Sequence, residues 1–152
     1  MRRAKILVID DEAGILDIVA TNLEAAGYEV LTFANGAGGL ALATSESPEL
    51  IILDIMMPEM DGWEVLRRLE KDPLTAGLPV IMLTAKVDDV DVLEGLEHGA
   101  VEYITKPFFP ENLIASVKII LGAYDAELRD EHRSKMIERR KRILEQRQRE
   151  ER

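Results

Sequence analysis

The stretch from Leu50 to Gly62 constrains the fold more than any other part of the chain. Four apolar residues, Leu50 to Leu53, follow one another without a polar break and end on Asp54. A run this short and this apolar is typical of a strand buried on both faces, as in a parallel sheet between two helix layers. Pro58 prevents the strand from continuing, and Asp61-Gly62 suits the turn before a helix. The stretch predicts a buried strand that carries a carboxylate at its carboxyl end, where open α/β sheets bind ligands.

Short apolar runs and segments with helical spacing alternate along most of the chain. The predicted strands are Lys5–Ile9, Tyr28–Phe33, Leu50–Asp54, Pro79–Thr84 and Val101–Ile104. The predicted helices are one through Ile15, Val19 and Leu23, then Ala37–Thr44, Trp63–Lys71, Asp88–His98, and one from Pro110 to Leu121. Five strands alternating with five helices predict an α/β protein with a doubly wound, five-stranded parallel sheet. We expect one domain over residues 1–121 and a charged helical extension over residues 122–152.

The net charge differs between the body and the tail of the chain. Residues 1–128 contain nine Lys/Arg and 23 Asp/Glu, a balance of −14, whereas residues 129–152 contain ten and six, a balance of +4. The acidic body argues against direct nucleic-acid binding. The chain has no cysteine, which fits a cytoplasmic protein. Its basic start becomes acidic too soon for a signal peptide, and no apolar run approaches the roughly 20 residues of a membrane span.

One glycine-rich segment resembles a nucleotide-binding motif but lacks its context. Gly36-Ala37-Gly38-Gly39-Leu40-Ala41 fits a loose G-x-G-x-x-A pattern between a strand and a helix. The segment follows the second strand instead of the first, and no acidic residue ends a strand about 20 residues later, as a dinucleotide site requires. We therefore do not interpret it as a cofactor site.

Polar side chains follow four of the five predicted strands, namely Asp10 with Asp11, then Asp54, Thr84 and Lys106. The carboxyl ends of parallel strands share one edge of a sheet, so these side chains can converge. Three neighbouring carboxylates repel one another, and a hard divalent cation relieves that repulsion. Mg²⁺ fits a set of oxygen ligands, with Mn²⁺ as an alternative. Each residue also has a structural interpretation (a helix cap, a strand-end hydroxyl or a surface charge), but their joint position favours a site.

Such a site has a defined chemistry. With a cation in place, one carboxylate can act as a nucleophile toward phosphorus and form an aspartyl phosphate. The phosphoryl oxygens then need positive charge and hydrogen-bond donors, which Lys106 and Thr84 can supply.

Several of these motifs together resemble the receiver domain of bacterial two-component response regulators of the chemotaxis type. They are the acidic pair Asp10-Asp11, the stretch from Leu53 to Gly62, Leu83-Thr84-Ala85, Gly99-Ala100, and the stretch from Tyr103 to Phe108. The resemblance covers about residues 4–121. It implies a flavodoxin-like sheet in the strand order 2-1-3-4-5. It also implies a phosphoacceptor switch that is not an enzyme, beyond slow autodephosphorylation.

The resemblance also assigns a role to each site residue. It implies that Asp54 accepts the phosphoryl group from a sensor histidine kinase or phosphotransfer protein. Asp11, Asp54 and the main-chain carbonyl of Met56 would bind Mg²⁺ directly, and Asp10 would act mostly through water. The remaining implied roles are phosphoryl binding by Thr84 and the Ala85 amide, phosphoryl pairing by Lys106, a switch through Thr84 and Tyr103, and a cis Lys106-Pro107 bond.

The chain departs from one branch of that family. Receivers of the winged-helix DNA-binding branch usually carry charged residues on a dimer face, at positions that look like Val92, Val101-Glu102 and Ser116 here. A charged dimer is therefore in doubt. We expect a switch of contacts with a downstream protein target. The alternatives are a receiver fragment of a larger regulator with a DNA-binding or enzymatic output domain, and a scaffold that is not phosphorylated.

The tail has its own set of alternatives. After Gly122 it contains many helix formers and neither proline nor glycine, which predicts a helix. Its apolar residues do not keep a heptad, so a simple coiled coil is not indicated. A solvated helix, an arm for a homodimer or another partner, and a linker to an output domain all remain open. We expect residues 123–152 to be helical and to support self-association.

Overall fold

The computed structural model describes residues 3–85 and 99–122, with residues 142, 145, 146 and 148–151. The strands are β1 (Lys5–Ile9), β2 (Glu29–Phe33), β3 (Leu50–Asp54), β4 (Val80–Thr84) and β5 (Ala100–Thr105). The helices in these ranges are α1 (Ala13–Ala25), α2 (Gly36–Glu46), α3 (Gly62–Lys71) and α4 (Pro110–Gly122). The predicted helix Asp88–His98 lies outside the described residues. None of the described helices is long and apolar enough to cross a membrane.

The five strands form one parallel sheet in the order β2-β1-β3-β4-β5. This confirms the predicted fold class and strand order. β3 lies at the centre, and all five of its residues are buried. Ile9 pairs with Leu53, and Asp54 pairs with Leu83. Because the registers keep the carboxyl ends of β1, β3 and β4 almost level, the residues after these strands meet at one edge.

Helices cover both faces of the sheet, so successive strand residues enter two different cores. One core joins strand residues such as Leu7, Ile51 and Met82 to α2 and α3. The other joins alternate residues such as Ile6, Ile52 and Leu83 to α1 and α4. The strands are apolar without a break because both of their faces are buried.

Two helices begin with side-chain caps that the sequence supplies. Asn35 accepts a hydrogen bond from the Gly38 amide at the start of α2, and Asp61 accepts one from the Glu64 amide at the start of α3. The N-cap residue of α1 is Glu12, which makes no side-chain cap. Asp10 and Asp11 therefore do not occupy the N-cap position, although Asp10 Oδ1 accepts a hydrogen bond from the amide of Glu12.

The glycine-rich segment has a packing explanation. A Cβ atom at Gly38 would overlap the ring of Phe33, and one at Gly39 would overlap the side chain of Ile9. At Gly36 it would lie 2.8 Å from Val65 Cγ2. Small residues here let α2 approach the sheet and α3 closely, which accounts for the pattern without a nucleotide.

The boundaries of the elements differ slightly from the sequence predictions. β2 begins at Glu29 instead of Tyr28, and β5 extends from Ala100 to Thr105, beyond the predicted Val101–Ile104. The register of β5 against β4 shifts by one residue at Val101. Such a shift is a local bulge that alternation along the sequence does not reveal. In the tail, the described residues 142, 145, 146 and 148–150 are helical.

Replacing Gly62 by alanine should destabilise the protein. The new Cβ would overlap the carbonyl oxygen of Asp54 and lie 2.7 Å from the Ile55 Cα, and neither main-chain atom can move aside as a flexible side chain could. We expect Gly62→Ala to lower the free energy of unfolding, measured by urea unfolding, by about 1–3 kcal/mol. Gly14→Ala is the matched control, because its Cβ would meet nothing within 4 Å in α1. The control variant should raise the free energy of unfolding by up to about 1 kcal/mol, because alanine favours a helix more than glycine does. Equal stabilities of the two variants would contradict the close approach.

Candidate functional site

The carboxyl edge of the sheet brings the predicted polar side chains together. Asp10 directly follows β1, Asp54 ends β3, Thr84 ends β4, and Lys106 follows β5. Asp10, Asp54 and Thr84 are almost completely buried, with exposed fractions of 0%, 3% and 0%. The Lys106 amide donates to the Thr84 carbonyl at 2.7 Å, which ties the loop after β5 to the end of β4. The Lys106-Pro107 bond in this loop is cis.

Three carboxylates form the acidic part of the site. One carboxylate oxygen from each of Asp10, Asp11 and Asp54 lies within 4.8 Å of the others. Asp11 is exposed and the other two are buried, so the cluster opens to solvent on the Asp11 side. The main chain binds one oxygen of each buried carboxylate. The Glu12 amide donates to Asp10 Oδ1 at 2.9 Å, and the Met56 amide donates to Asp54 Oδ1 at 3.3 Å.

Lys106 partly neutralises the two buried carboxylates. Its Nζ lies 2.8 Å from Asp10 Oδ2 and 3.5 Å from Asp54 Oδ2, and only 11% of its side chain is exposed. Asp10 Oδ2 is buried and, within the described residues, accepts no well-directed hydrogen bond, so its contact with Lys106 is an ion pair. One ammonium cannot neutralise three carboxylates. The surplus negative charge and the oxygen-only ligands therefore fit a hard divalent cation such as Mg²⁺.

The burial and charge of the site change the pKa of Asp54. The pKa of this carboxyl rises from 3.8 to about 6, first because the group is buried and then because of the negative charge of Asp10. The Lys106 ammonium and the Met56 amide oppose this rise, while Asp11 adds to it. The net rise shows that Lys106 does not compensate fully for the loss of water and the neighbouring negative charge.

The pKa of Lys106 responds to the same carboxylates. Burial by itself lowers the pKa of Lys106, but its contact with Asp10 and the charges of Asp10, Asp54 and Glu12 raise it above the ordinary value. The lysine is therefore charged at neutral pH. Glu12 is the one contributor that the sequence reasoning did not single out, although it directly follows the acidic pair.

The other predicted site residues lie around this centre. Thr84 pairs with Thr105 across β4 and β5, and Ala85 follows it at the end of the strand. Tyr103 is half-buried and packs against the core formed with α2 and α3. The Met56 side chain is 69% exposed, but its main chain lies beside the Asp54 carboxylate.

The loop between β3 and α3 contains two features that sequence reasoning missed. Gly62 approaches the Asp54 main chain too closely for any side chain, and Glu59 has a φ of 67°. The sequence predicts a turn at Asp61-Gly62 but does not indicate the contact with Asp54. It also does not indicate the positive φ of Glu59, because glycine or asparagine usually occupies such positions.

A buried aspartate at the end of the central strand, beside two further carboxylates, a threonine and a lysine, defines a phosphoacceptor type of α/β domain. Residues 6–118 match the model of the response regulator receiver domain, and the chain belongs to this family. Receiver domains are phosphoacceptor switches.

Curated relatives and solved structures agree with this assignment. The chain is 47% identical over 125 residues to the phosphate regulon transcriptional regulatory protein PhoB of Pseudomonas aeruginosa, covering 80% of this chain and 55% of the relative. It is 46% identical over 121 residues to the DNA-binding dual master transcriptional regulator RpaA of Synechocystis, covering 80% and 50%. The chain thus spans about half the length of these relatives.

The similar solved structures are matched over almost their whole length. Chemotaxis protein CheY4 of Vibrio cholerae superposes with a TM-score of 0.74 at 35% identity, over 77% of this chain and 98% of that one. A CheY-like receiver domain protein from Methanospirillum hungatei gives a TM-score of 0.74 at 34% identity, over 88% and 99%.

Asp54→Asn should stabilise the metal-free protein at neutral pH. The folded-state pKa of about 6 lies above the ordinary value of 3.8, so the folded protein binds the proton more tightly and loses stability as the pH rises from about 4 to 6. We expect the free energy of unfolding of Asp54→Asn to exceed that of the wild type by at most about 3 kcal/mol at pH 7.5 in EDTA. Near pH 4 the two proteins should be equally stable.

Urea unfolding at the two pH values measures this difference. Asp17→Asn is the matched control, because it removes an exposed carboxylate on α1. A gain for Asp54→Asn that is the same at pH 4 and pH 7.5 would contradict the raised pKa.

Proposed function

We propose that Asp54 is the phosphoacceptor of this receiver domain and that its phosphorylation switches contacts with a downstream protein. The observation that carries the proposal is the position of its carboxylate. It is buried at the end of the central strand, 3.5 Å from the Lys106 ammonium and in one cluster with Asp10 and Asp11. A solvated surface aspartate would have none of these neighbours.

In the proposed reaction, a carboxylate oxygen of Asp54 attacks the phosphorus of a phosphohistidine on the kinase or phosphotransfer protein. The oxygen–phosphorus bond forms as the phosphorus–nitrogen bond breaks, and the electron pair returns to the imidazole. Lys106 contributes positive charge toward the phosphoryl oxygens, while the Thr84 hydroxyl and the Ala85 amide contribute hydrogen bonds. The ends of β4 and β5 place these groups at the same edge as Asp54.

The proposal includes a divalent cation, Mg²⁺ or alternatively Mn²⁺. Asp11, Asp54 and the Met56 carbonyl would hold it directly, and Asp10 would act mostly through water. Its support is the oxygen-only ligand set and the incomplete neutralisation of three carboxylates by Lys106. When bound, the cation neutralises charge on the carboxylates and on the incoming phosphoryl group.

The switch is proposed to run through Thr84 and Tyr103. Thr84 would move toward the phosphoryl group, and Tyr103 would turn inward in response. Thr84 ends β4, and Tyr103 lies in β5 two residues before Thr105, the partner of Thr84. A shift at the end of β4 therefore has a direct path to this side chain. The only chemistry assigned to the receiver itself is slow autodephosphorylation.

The phosphoacceptor assignment can be tested by chemical phosphorylation. Incubation with phosphoramidate and Mg²⁺ should add one phosphoryl group, observed by intact mass spectrometry. Asp54→Asn should abolish the addition, because an amide is not a nucleophile toward phosphorus. Asp61→Asn, which keeps a capping side chain on the same loop, should still be labelled. Undiminished labelling of Asp54→Asn would overturn the assignment.

A second candidate function concerns the output. The relatives PhoB and RpaA are named as transcriptional regulators, and the chain aligns with about half of each. This observation favours a receiver that controls a DNA-binding output. In either case the acidic body is not proposed to bind nucleic acid itself, since residues 1–128 carry −14. The intact Asp10, Asp54 and Lys106 cluster argues against a scaffold that is not phosphorylated.

We also propose that the tail supports self-association. Residues 129–152 carry +4 and residues 1–128 carry −14, so electrostatic attraction favours contact of the tail with the body of a second copy. Removing residues 125–152 should shift the protein toward monomer on light scattering and leave phosphorylation of Asp54 intact. A full chain that is monomeric at high micromolar concentration, with and without phosphoryl donor, would favour a solvated or linker helix instead.

A further inference from the structure

The loop between β3 and α3, which follows Asp54, contains a residue with a strained backbone conformation. Glu59 has a φ of 67°, a left-handed conformation that side-chain-bearing residues rarely adopt. The Met60 amide donates to the Pro58 carbonyl at 2.8 Å across it. This hydrogen bond closes a three-residue γ-turn with positive φ at its centre, a form that is rare because it is strained.

Three contacts fix the ends of the segment that contains this turn. The Gly62 amide donates to the Ile55 carbonyl at 2.8 Å and closes the loop at its base. Met57 is buried in the core of α2 and α3, and Met60 packs against the same core. The chain must therefore reverse sharply between Met57 and Met60, and Glu59 is the residue that takes the positive φ.

The side chain of Glu59 gives no reason for this conformation. It is exposed, and no hydrogen bond or ion pair from it occurs within the described part of the chain. The other residue with positive φ and a side chain is Ser47, the C-cap of α2, with a φ of 50°. Left-handed residues are common at helix ends, so Ser47 is accounted for locally. Glu59 is not.

The turn at Glu59 is linked to the main-chain segment that directly follows Asp54. The Met56 amide donates to Asp54 Oδ1 at 3.3 Å, and the Met57 amide donates to the Ile55 carbonyl at 3.2 Å. Residues 54–57 thus form a short, cross-linked segment between the strand end and the turn. A change of backbone conformation at Glu59 would be transmitted to Met56, because the buried Met57, the partly buried Met60 and the hydrogen-bonded Gly62 leave the segment little other freedom.

We propose that the left-handed turn at Glu59 is a positioning element for the divalent cation, acting by fixing the main chain at Met56. This inference rests on the proposed function, in which the Met56 carbonyl and Asp54 hold the cation. Strained backbone is often retained where it keeps a site in its working geometry. The requirement at position 59 is thus for a residue that tolerates positive φ, and the glutamate charge itself is not required.

Substitutions at Glu59 separate the backbone from the charge. Glu59→Val disfavours positive φ, Glu59→Gly favours it, and Glu59→Gln removes only the charge. Ser47→Val is the matched control, because it opposes positive φ at the far end of α2, away from the site. Mg²⁺ affinity of each full-length variant is measured by titration of Trp63 fluorescence and by calorimetry. Urea unfolding is recorded in parallel.

We expect Glu59→Val to weaken Mg²⁺ binding at least about tenfold, as loss of residues that orient metal ligands typically does. Glu59→Gly and Glu59→Gln should bind Mg²⁺ as the wild type does. Ser47→Val should lose stability and keep its Mg²⁺ affinity. If Glu59→Val does not fold, Glu59→Ala, which opposes positive φ less strongly, should weaken binding in the same direction.

Two results would overturn the inference. Wild-type Mg²⁺ affinity in a folded Glu59→Val or Glu59→Ala variant would make the turn merely structural. An equal loss in Glu59→Gln and Glu59→Val would assign the effect to the charge. If Asp11→Ala bound Mg²⁺ as tightly as the wild type does, the proposed cation site itself would be wrong. This failure can be told apart from a failure of the Glu59 inference, because the variant leaves Glu59 unchanged.

Discussion

Two buried carboxylates, Asp10 and Asp54, share the ammonium of Lys106 at the carboxyl edge of the sheet. The contact is possible because three parallel strands end almost level, and it is needed because Asp10 and Asp54 have almost no access to water. Lys106 does not compensate fully, since the pKa of Asp54 stays raised, first by burial and then by the negative charge of Asp10. In the receiver site one ammonium thus faces three carboxylates, and a bound cation would lower their mutual repulsion.

The surrounding structure holds this charge in place. Residues alternating along the strands enter two cores, so β3 is fixed on both faces and cannot move its last residue away from Asp10. Gly62 brings the start of α3 against the Asp54 main chain, and Glu59 turns the intervening loop. The rigid sheet fixes the carboxylates, while the short loop orients the groups beside them.

The sequence predicts much of this arrangement because each buried parallel strand is a short, uninterrupted apolar run that can be recognised locally. The apolar run before Asp54 and the similar runs before Asp10 and after Pro79 indicated the sheet, and the strand ends indicated which residues could meet. The sequence could not predict that Lys106 lies closer to Asp10 than to Asp54, since this depends on side-chain packing across 96 positions. It also could not predict the positive φ of Glu59 or the bulge at Val101, which result from tertiary packing acting against local preference.

The central claim is that the acidic pocket keeps an excess of negative charge until a cation binds. The carboxyl ¹³C resonance of Asp54, followed by NMR against pH with and without Mg²⁺, tests it most directly. Without Mg²⁺ the account predicts that the Asp54 carboxyl titrates with a pKa of about 6, well above its ordinary 3.8. With Mg²⁺ the pKa should fall, because the cation favours the ionised form. A metal-free Asp54 that titrates at its ordinary value, or one whose titration does not respond to Mg²⁺, would contradict the account.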